Sequence, residues 1–385
     1  MPDKFRFFVT AARGTEGALR REIASMRIAG AKGDQGGVRF EGPLEMGMRV
    51  CLYARTAVRV LLQLTDIEAH DGQSLYDRAR AVRWSDWLTG KSTLSVHGSV
   101  RDTPGLTHSG FAALKVKDAV VDVLRDAFGE RPDVDTKAPD VGIVLHLAAG
   151  KGGLYLDLAG EALHRRGYRV AMVDAPLKET LAASVLALGG AWGEQPFQLP
   201  FLDPMAGSGT LAIEHALAAR GIAPGLRRRF GFERWPALAP ELRAVWQRMR
   251  AEAEEDAIAA QRAPLPPIVC ADTDPAAVAA AQQNASAASV DDAITFERAD
   301  VTSLQPRWPT ATLATNPPYG ERLKPEALAA LYRSMARAFE HLPGWRVIVL
   351  SGNPLWTREM RRKPDVTHRL WNGPLEVRLL RYDVK

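Results

Sequence analysis

The run Asn316-Pro317-Pro318-Tyr319-Gly320 carries the most specific chemistry in this sequence. The Asn316 side-chain carbonyl and the Pro317 main-chain carbonyl are both hydrogen-bond acceptors. Two such acceptors side by side can hold both hydrogens of a planar NH2 group, and the ring of Tyr319 can stack on the ring that bears it. That is a clamp for the exocyclic amine of a nucleobase, with Asn316, Pro317, Pro318 and Tyr319 as catalytic candidates. The same residues also fit a proline-rich turn whose tyrosine packs on a neighbour, so the decision rests on what lies upstream.

The element that must position the clamp is the apolar run Ala311 to Thr315, which reads as a short buried strand. Two prolines at its end cannot continue a ladder, so the chain leaves the sheet there. In open α/β sheets, ligands bind outside the carboxyl ends of strands. Three upstream strand ends carry matching chemistry. Gln198 to Asp203 feeds the loop Pro204-Met205-Ala206-Gly207-Ser208-Gly209-Thr210, which opens a helix from Leu211 to Arg220. Glycines there let the backbone approach a ligand closely, and the free N–H groups of the helix start favour a carboxylate. The loop is neither G-x-G-x-x-G nor a lysine-bearing P-loop, which favours a small nucleoside over a pyrophosphate. Pro267 to Ala271 reads as a second strand, ending in Asp272-Thr273-Asp274-Pro275, where a carboxylate suits ribose hydroxyls. Ile294 to Arg298 leads to Ala299-Asp300-Val301, where Asp300 can accept from an adenine amino group. The series places a nucleoside's tail, ribose and base in order along one sheet edge, beside the clamp.

At 385 residues the chain suits two or three domains, with ordinary apolar and charged content. No apolar run is long enough to span a bilayer, and no signal peptide is expected, since Lys4 and Arg6 interrupt a short, strand-like N-terminus. Cys51 and Cys270 lie far apart in apolar contexts and read as two thiols in a reducing, cytoplasmic setting. No Cys/His set has zinc spacing, so no metal is expected. The net charge of +5 and pI of about 9.2 permit an anionic partner without requiring one.

The N-terminal half reads as strand Phe5 to Thr10, a helix with Leu19, Ile23 and Met26 on one face, strand Gly36 to Phe40, a helix from Pro43 to about Ala54, and strand Ala57 to Leu64. A helix at Ser74, strand Ser92 to Val100, and a helix Phe111 to Phe128 with Leu114, Val116, Val120, Val121 and Leu124 apolar follow. Strands Val141 to Leu147 and Gly153 to Leu158 are joined by a turn at Lys151-Gly152-Gly153. His70, His97, His108 and His146 are isolated. Lys115, Lys117, Arg165, Arg166 and Arg169 are candidates for phosphate contact, the two lysines equally for a solvated face. Residues 221–264 are an insertion, basic at Arg227-Arg228-Arg229 and helical from Pro240 to Gln261. A terminal antiparallel pair, Val366 to Leu370 and Leu375 to Tyr382, turns at Asn372-Gly373-Pro374.

Asp203 to Thr210, Asp272 to Pro275 and Asn316 to Gly320 together resemble the class I S-adenosylmethionine-dependent methyltransferases that act on exocyclic amines. Leu163 to Arg169 (LHRRGYR) and Ala175 to Thr180 (APLKET) resemble that family's linker into the catalytic domain. The resemblance covers nearly the whole chain and points to the bacterial guanine-N2 methyltransferases of 23S ribosomal RNA. It implies an α/β fold: a Rossmann-like methyltransferase domain with a seven-stranded, mostly parallel sheet, preceded by a ferredoxin-like plus THUMP module. The expected units are 1–65 (ferredoxin-like), 66–162 (THUMP, RNA-binding) and 163–385 (methyltransferase). In some bacteria this module is fused to a second methyltransferase; the expectation here is the stand-alone form.

By position, the resemblance implies that Asp203, Ala206, Gly207, Gly209 and Thr210 hold the methionine part of S-adenosylmethionine. It implies that Asp272, with Asp274 nearby, holds the ribose, that Asp300 and Val301 read the adenine, and that Asn316 meets both cofactor and base. Thr180, with Glu179, falls near the cofactor's carboxylate. Ala206 replaces a cysteine common in this loop. The implied reaction is methylation of a guanine N2 amine in 23S rRNA. Guanine in tRNA, adenine N6 in RNA or DNA, and a non-catalytic RNA-binding protein remain alternatives.

Overall fold

The computed structural model describes residues 4–173, 176–192, 197–261, 263–319 and 324–385. Gly320 of the clamp motif and Ala175 of the linker lie outside the described residues. The first part comprises β1 (Phe5–Ala11), α1 (Glu16–Ser25), β2 (Lys32–Asp34), β3 (Gly37–Gly42), α2 (Leu44–Tyr53), β4 (Ala57–Glu68), α3 (Gly72–Arg80), β5 (Thr93–Arg101), α4 (Ser109–Phe128), β6 (Asp133–Val134), β7 (Val141–Ala148) and β8 (Lys151–Asp157). Its strands form one sheet in the order β2-β3-β1-β4-β8-β7-β5-β6.

The boundary expected at 65/66 falls inside a strand. β4 runs on to Glu68 through a bulge between Gln63 and Thr65 and pairs with β1 on one side and β8 on the other. The polar residues around the bulge break the alternation, which is why the strand reads short in sequence. The β7–β8 turn lies at Ala149-Gly150, not at 151–153, because both residues take positive φ there while Lys151 to Gly153 pair within β8. Leu114 is exposed rather than on the buried face of α4.

The second part comprises α5 (Glu179–Gly189), β9 (Phe201–Asp203), α6 (Thr210–Ala219), α7 (Pro240–Ala260), β10 (Ile268–Asp272), α8 (Pro275–Ala288), β11 (Ile294–Arg298), β12 (Thr312–Thr315), α9 (Pro325–Glu340), β13 (Arg346–Ser351), α10 (Leu355–Met360), β14 (Val366–Asn372) and β15 (Leu375–Asp383). Among the described residues these strands order as β11-β10-β9-β12-β13-β15-β14. The five from β11 to β13 are parallel, and β15 and β14 join antiparallel.

Alternation along each buried strand feeds two cores. Phe201, Cys270, Ala314 and Ile348 pack with α5, α6 and α8 on one face. Leu202, Val269, Leu313 and Val347 pack with α9 and α10 on the other. The chain runs outward from β9 through β10 to β11, then returns to β12 on the other side of β9. That reversal opens a crevice at the carboxyl ends of β9 and β12, where doubly wound sheets take their ligands.

The insertion packs onto the N-terminal core, which Phe230, Phe232, Trp235, Trp246 and Ala253 help to build. Arg228 is buried and donates to the carbonyls of Ala159, Glu161, Ala162 and Arg165. Its basic run therefore joins the two parts of the chain. Among the described residues no helix is long and apolar enough to cross a membrane.

The segment between the parts is anchored by a buried ion pair. Arg166 and Glu214 have side-chain exposures of 2% and 0%, and Tyr168 donates to the same carboxylate at 3.1 Å. Removing one partner of a buried pair strands the other charge, so Glu214→Ala should cost about 3–5 kcal/mol of stability. Denaturant unfolding checks this, with Glu214→Gln expected to lose less; an unchanged Glu214→Ala midpoint would contradict it.

Candidate active site

A cavity of about 710 Å³ occupies the crevice between β9 and β12. Its lining joins three strand-end segments, those after β9, β10 and β12, with the linker and the terminal hairpin. From the residues expected at the site it takes Asp203, Ala206, Gly207, Thr210, Asp272, Asn316, Pro317, Pro318 and Tyr319.

The glycine loop is shaped by its own backbone and by Asp272. Met205 N–H donates to Asp203 Oδ1 at 3.3 Å, Ala206 N–H to the Ala271 carbonyl at 2.9 Å, and Gly207 N–H to Asp272 Oδ2 at 2.9 Å. Gly209 has φ +81°, and a Cβ there would stand 2.9 Å from Ala281 Cβ, so only glycine lets the loop lie against α8. The other oxygen of Asp272 accepts from Asp274 N–H at 3.0 Å. Each carboxylate oxygen keeps further lone-pair capacity for a hydroxyl donor.

Burial pushes the Asp203 carboxyl well above the usual carboxylate range; the Met205 N–H opposes that rise and the Asp272 carboxylate adds to it. A cationic group placed beside Asp203 would reverse the effect.

At the end of β12, Asn316 Oδ1 is shielded from solvent and has no hydrogen-bond partner among the described residues. An acceptor left in that state costs about 1–3 kcal/mol. An arriving N–H donor removes the cost. The next turn is braced from behind: Tyr332 donates its hydroxyl to the Pro318 carbonyl at 2.7 Å. Burial pushes that hydroxyl's pKa up to about 12. The Tyr319 ring lies against Gly352, where a Cβ would stand 2.5 Å from it, and its hydroxyl accepts from Asn372 Nδ2 at 2.9 Å.

Other expected site residues stand apart from the lining. Asp274 caps α8, its carboxylate accepting from Ala276 N–H at 2.9 Å. Asp300 is exposed and accepts from the Thr302 N–H and hydroxyl, both at 2.8 Å. The Val301 side chain is buried in the core under α9. Gly209 sits behind the loop, and Thr180 is buried in the first turn of α5, its carbonyl accepting from Ser184.

The basic candidates divide. Lys115 lies over Phe111, Lys117 pairs with Asp118, and Arg165 is 65% exposed and pairs with Glu161. Arg166 and Arg169 correct the expectation of phosphate contact. Arg166 is buried, spent on Glu214 and on the Leu163 and Arg55 carbonyls. Arg169 donates to Glu179, Ser208, the Leu177 carbonyl and Thr210 at 2.9, 2.9, 2.9 and 3.1 Å, beneath the glycine loop.

Eight wall residues were not among the expected site residues: Val173, Pro176 and Leu177 of the linker, Met205, Ser208 and Leu211 in and after the glycine loop, and Asn372 and Leu375 of the hairpin. Asn372 carries no local signal, because asparagine before glycine is the ordinary composition of a hairpin turn.

Comparison with known proteins agrees with this architecture. Residues 166–381 match the RMKL-like methyltransferase domain family, residues 69–157 the THUMP domain, and residues 6–61 the RlmL ferredoxin-like domain. A ribosomal RNA large subunit methyltransferase K/L of Syntrophotalea carbinolica is 39% identical over 100% of this chain and 54% of its own length. The chain thus spans about half the length of the curated relatives it matches. A crystal structure of a methyltransferase complexed with SAH superposes with TM-score 0.87 at 28% identity, covering 100% of this chain and 99% of that one. A Listeria monocytogenes protein described as a predicted N6-adenine-specific DNA methylase does so with TM-score 0.87 at 31% identity, covering 99% and 97%.

The raised Asp203 pKa has a consequence for stability. A carboxyl that holds its proton more tightly when folded contributes stability that is complete below its unfolded value of about 3.9 and is lost as pH rises through the raised value. Wild type compared with Asp203→Asn should therefore lose stability as pH rises from about 4, because asparagine does not titrate. Thermal unfolding of both proteins across that range checks this, and a difference independent of pH would contradict it.

Proposed function

This chain belongs to the RMKL-like methyltransferase family, and from that premise we propose that it methylates the exocyclic N2 amine of a guanine in large-subunit ribosomal RNA, using S-adenosylmethionine. The observation that carries the reading is the unpartnered Asn316 Oδ1, held beside Pro317 in a cavity shared with Asp203, Gly207 and Asp272.

The donor set fits the cofactor. Asp203 is a buried carboxylate suited to an ammonium group, and the Asp272 oxygens suit ribose hydroxyls. Asp300 and Val301, one strand further along the same edge, suit the adenine. S-adenosylmethionine, when bound, supplies an electrophilic methyl group on a sulfonium.

What remains is the work of this chain's own residues. Asn316 Oδ1 and the Pro317 carbonyl accept from the target amine and draw its lone pair out of conjugation with the ring. The acceptors stabilise the positive charge that develops on nitrogen, and the rigid prolines fix their direction. Tyr332 and Asn372 hold the backbone and ring of the clamp, so little reorganises when the base arrives. The target base must leave its stack to reach this depth. In this reading residues 1–65 and 66–162 engage the RNA by shape and backbone, and residues 163–385 carry the chemistry. The two buried, unpaired thiols of Cys51 and Cys270 suit a reducing, cytoplasmic setting.

Asn316→Ala should lower turnover about 100-fold or more while leaving affinity for S-adenosylhomocysteine nearly unchanged. Titration calorimetry and single-turnover methyl transfer measure the two separately. Near-full turnover in this variant would sink the clamp.

A further inference from the structure

The terminal hairpin supplies two walls of the cavity, Asn372 and Leu375, and the pairs leading up to them carry an unusual arrangement of charge. Arg369 pairs across the strands with Arg378, Trp371 with Glu376, and Asn372 with Leu375. Alternation puts Arg369, Trp371, Glu376 and Arg378 on one face, opposite the buried pair Leu370 and Val377.

The loop between β1 and α1 reaches the same place from the N-terminal part. The Arg13 guanidinium lies 3.8 Å from the centroid of the Trp371 ring, and that of Arg369 lies 5.1 Å from it. Gly14 permits the approach: its φ is +89°, and a Cβ there would stand 2.2 Å from the Arg369 carbonyl oxygen.

Like charges directly opposed across two strands destabilise the pairing. Here Arg369 opposes Arg378, and Arg13 stands close by. All three are exposed, and the nearby carboxylate is that of Glu376, which Arg369 engages. Arg369 foremost, then Arg378 and Arg13, holds the Glu376 carboxyl below the usual glutamate range; Arg369 alone forms an ion pair with it. Three cations against one carboxylate leave positive charge that the fold itself does not need. Such breaches of local rules concentrate at functional sites. This one sits on the hairpin that walls the cavity, on the face opposite Asn372 and Leu375: the Arg369–Arg378 pair lies three residues from Asn372–Leu375, about 10 Å at the usual strand rise.

We propose that Arg13, Arg369 and Arg378 form a phosphate-binding ridge for the RNA strand that flanks the target nucleotide, with Trp371 holding the Arg13 guanidinium in place. The inference rests on the RNA reading above. It makes the N-terminal unit and the last hairpin two halves of one contact surface. A base drawn out of its stack needs its neighbouring phosphates held, and cations on the exposed face of the hairpin that walls the cavity hold them without reading sequence.

The test is retention of an in-vitro transcript of large-subunit ribosomal RNA on filters across a salt series. Arg13→Ala and Arg378→Ala should each weaken binding about threefold to tenfold at low salt and reduce the slope of log affinity against log salt by about 0.7, the single-strand increment per phosphate contact. Glu376→Gln should do the opposite and tighten binding, which a misfolded variant cannot mimic. In methyl transfer, the loss in the arginine variants should fall on KM for RNA rather than on kcat. If the Arg13→Ala/Arg378→Ala double variant keeps wild-type affinity and slope, the ridge is overturned and the RNA reading stands. If the wild-type protein itself fails to bind the transcript, both fall.

Discussion

The guanidinium of Arg169 is the constraint on which the site depends. It is tied to Glu179, to the Leu177 carbonyl and to the hydroxyls of Ser208 and Thr210. One planar cation thus fixes the linker, the start of α5 and the glycine loop against one another, using the fork geometry that arginine alone provides. Asn284 adds a second tie: its amide accepts from the Val170 and Ala171 N–H groups and donates to the Ala171 and Ser208 carbonyls. These bonds hold Ser208 and Thr210, while Asp203, Ala271 and Asp272 set the Met205, Ala206 and Gly207 N–H groups, and preorganised direction is what catalysis by positioning depends on.

That constraint explains which parts of the site could be read from the chain and which could not. The loop from Asp203 to Thr210, the acids after β10 and β11, and the prolines after β12 are local signals. Each is a strand end followed by residues whose backbone preferences force an exit, so its place at the sheet edge follows from a handful of neighbours. Arg166 and Arg169 carry no such signal. In sequence they are basic residues in a glycine-punctuated segment, the ordinary appearance of a phosphate contact. Their partners, Glu214 and Glu179, sit elsewhere in the chain, and only the fold shows that the charges are spent internally. Asn372 and Leu375 reach the cavity because the antiparallel β15 brings the hairpin back beside it.

The same contrast holds for the fold. The doubly wound half was legible because every buried strand is a short apolar run that ends at a turn signal. The N-terminal half was less so. Its strands share one sheet, and β4 runs through a polar bulge that looks like an ending. The basic run at Arg227 to Arg229 had no role readable from the sequence, yet Arg228 is buried against four carbonyls. Carbonyl groups carry no side-chain identity, so no residue pattern announces such a partner. The result is a half of methyltransferase-domain fold held to its N-terminal half by the insertion, the linker and the loop at Gly14.

The central claim is that the clamp at Asn316 acts on a guanine N2 amine. The most direct measurement is transfer of a tritiated methyl group from S-adenosylmethionine to unmodified large-subunit ribosomal RNA, followed by digestion to nucleosides. Label in N2-methylguanosine is the result this account predicts. Label in N6-methyladenosine would keep the fold and the clamp but contradict the substrate. RNA left unlabelled by a protein that binds S-adenosylhomocysteine would contradict the claim itself.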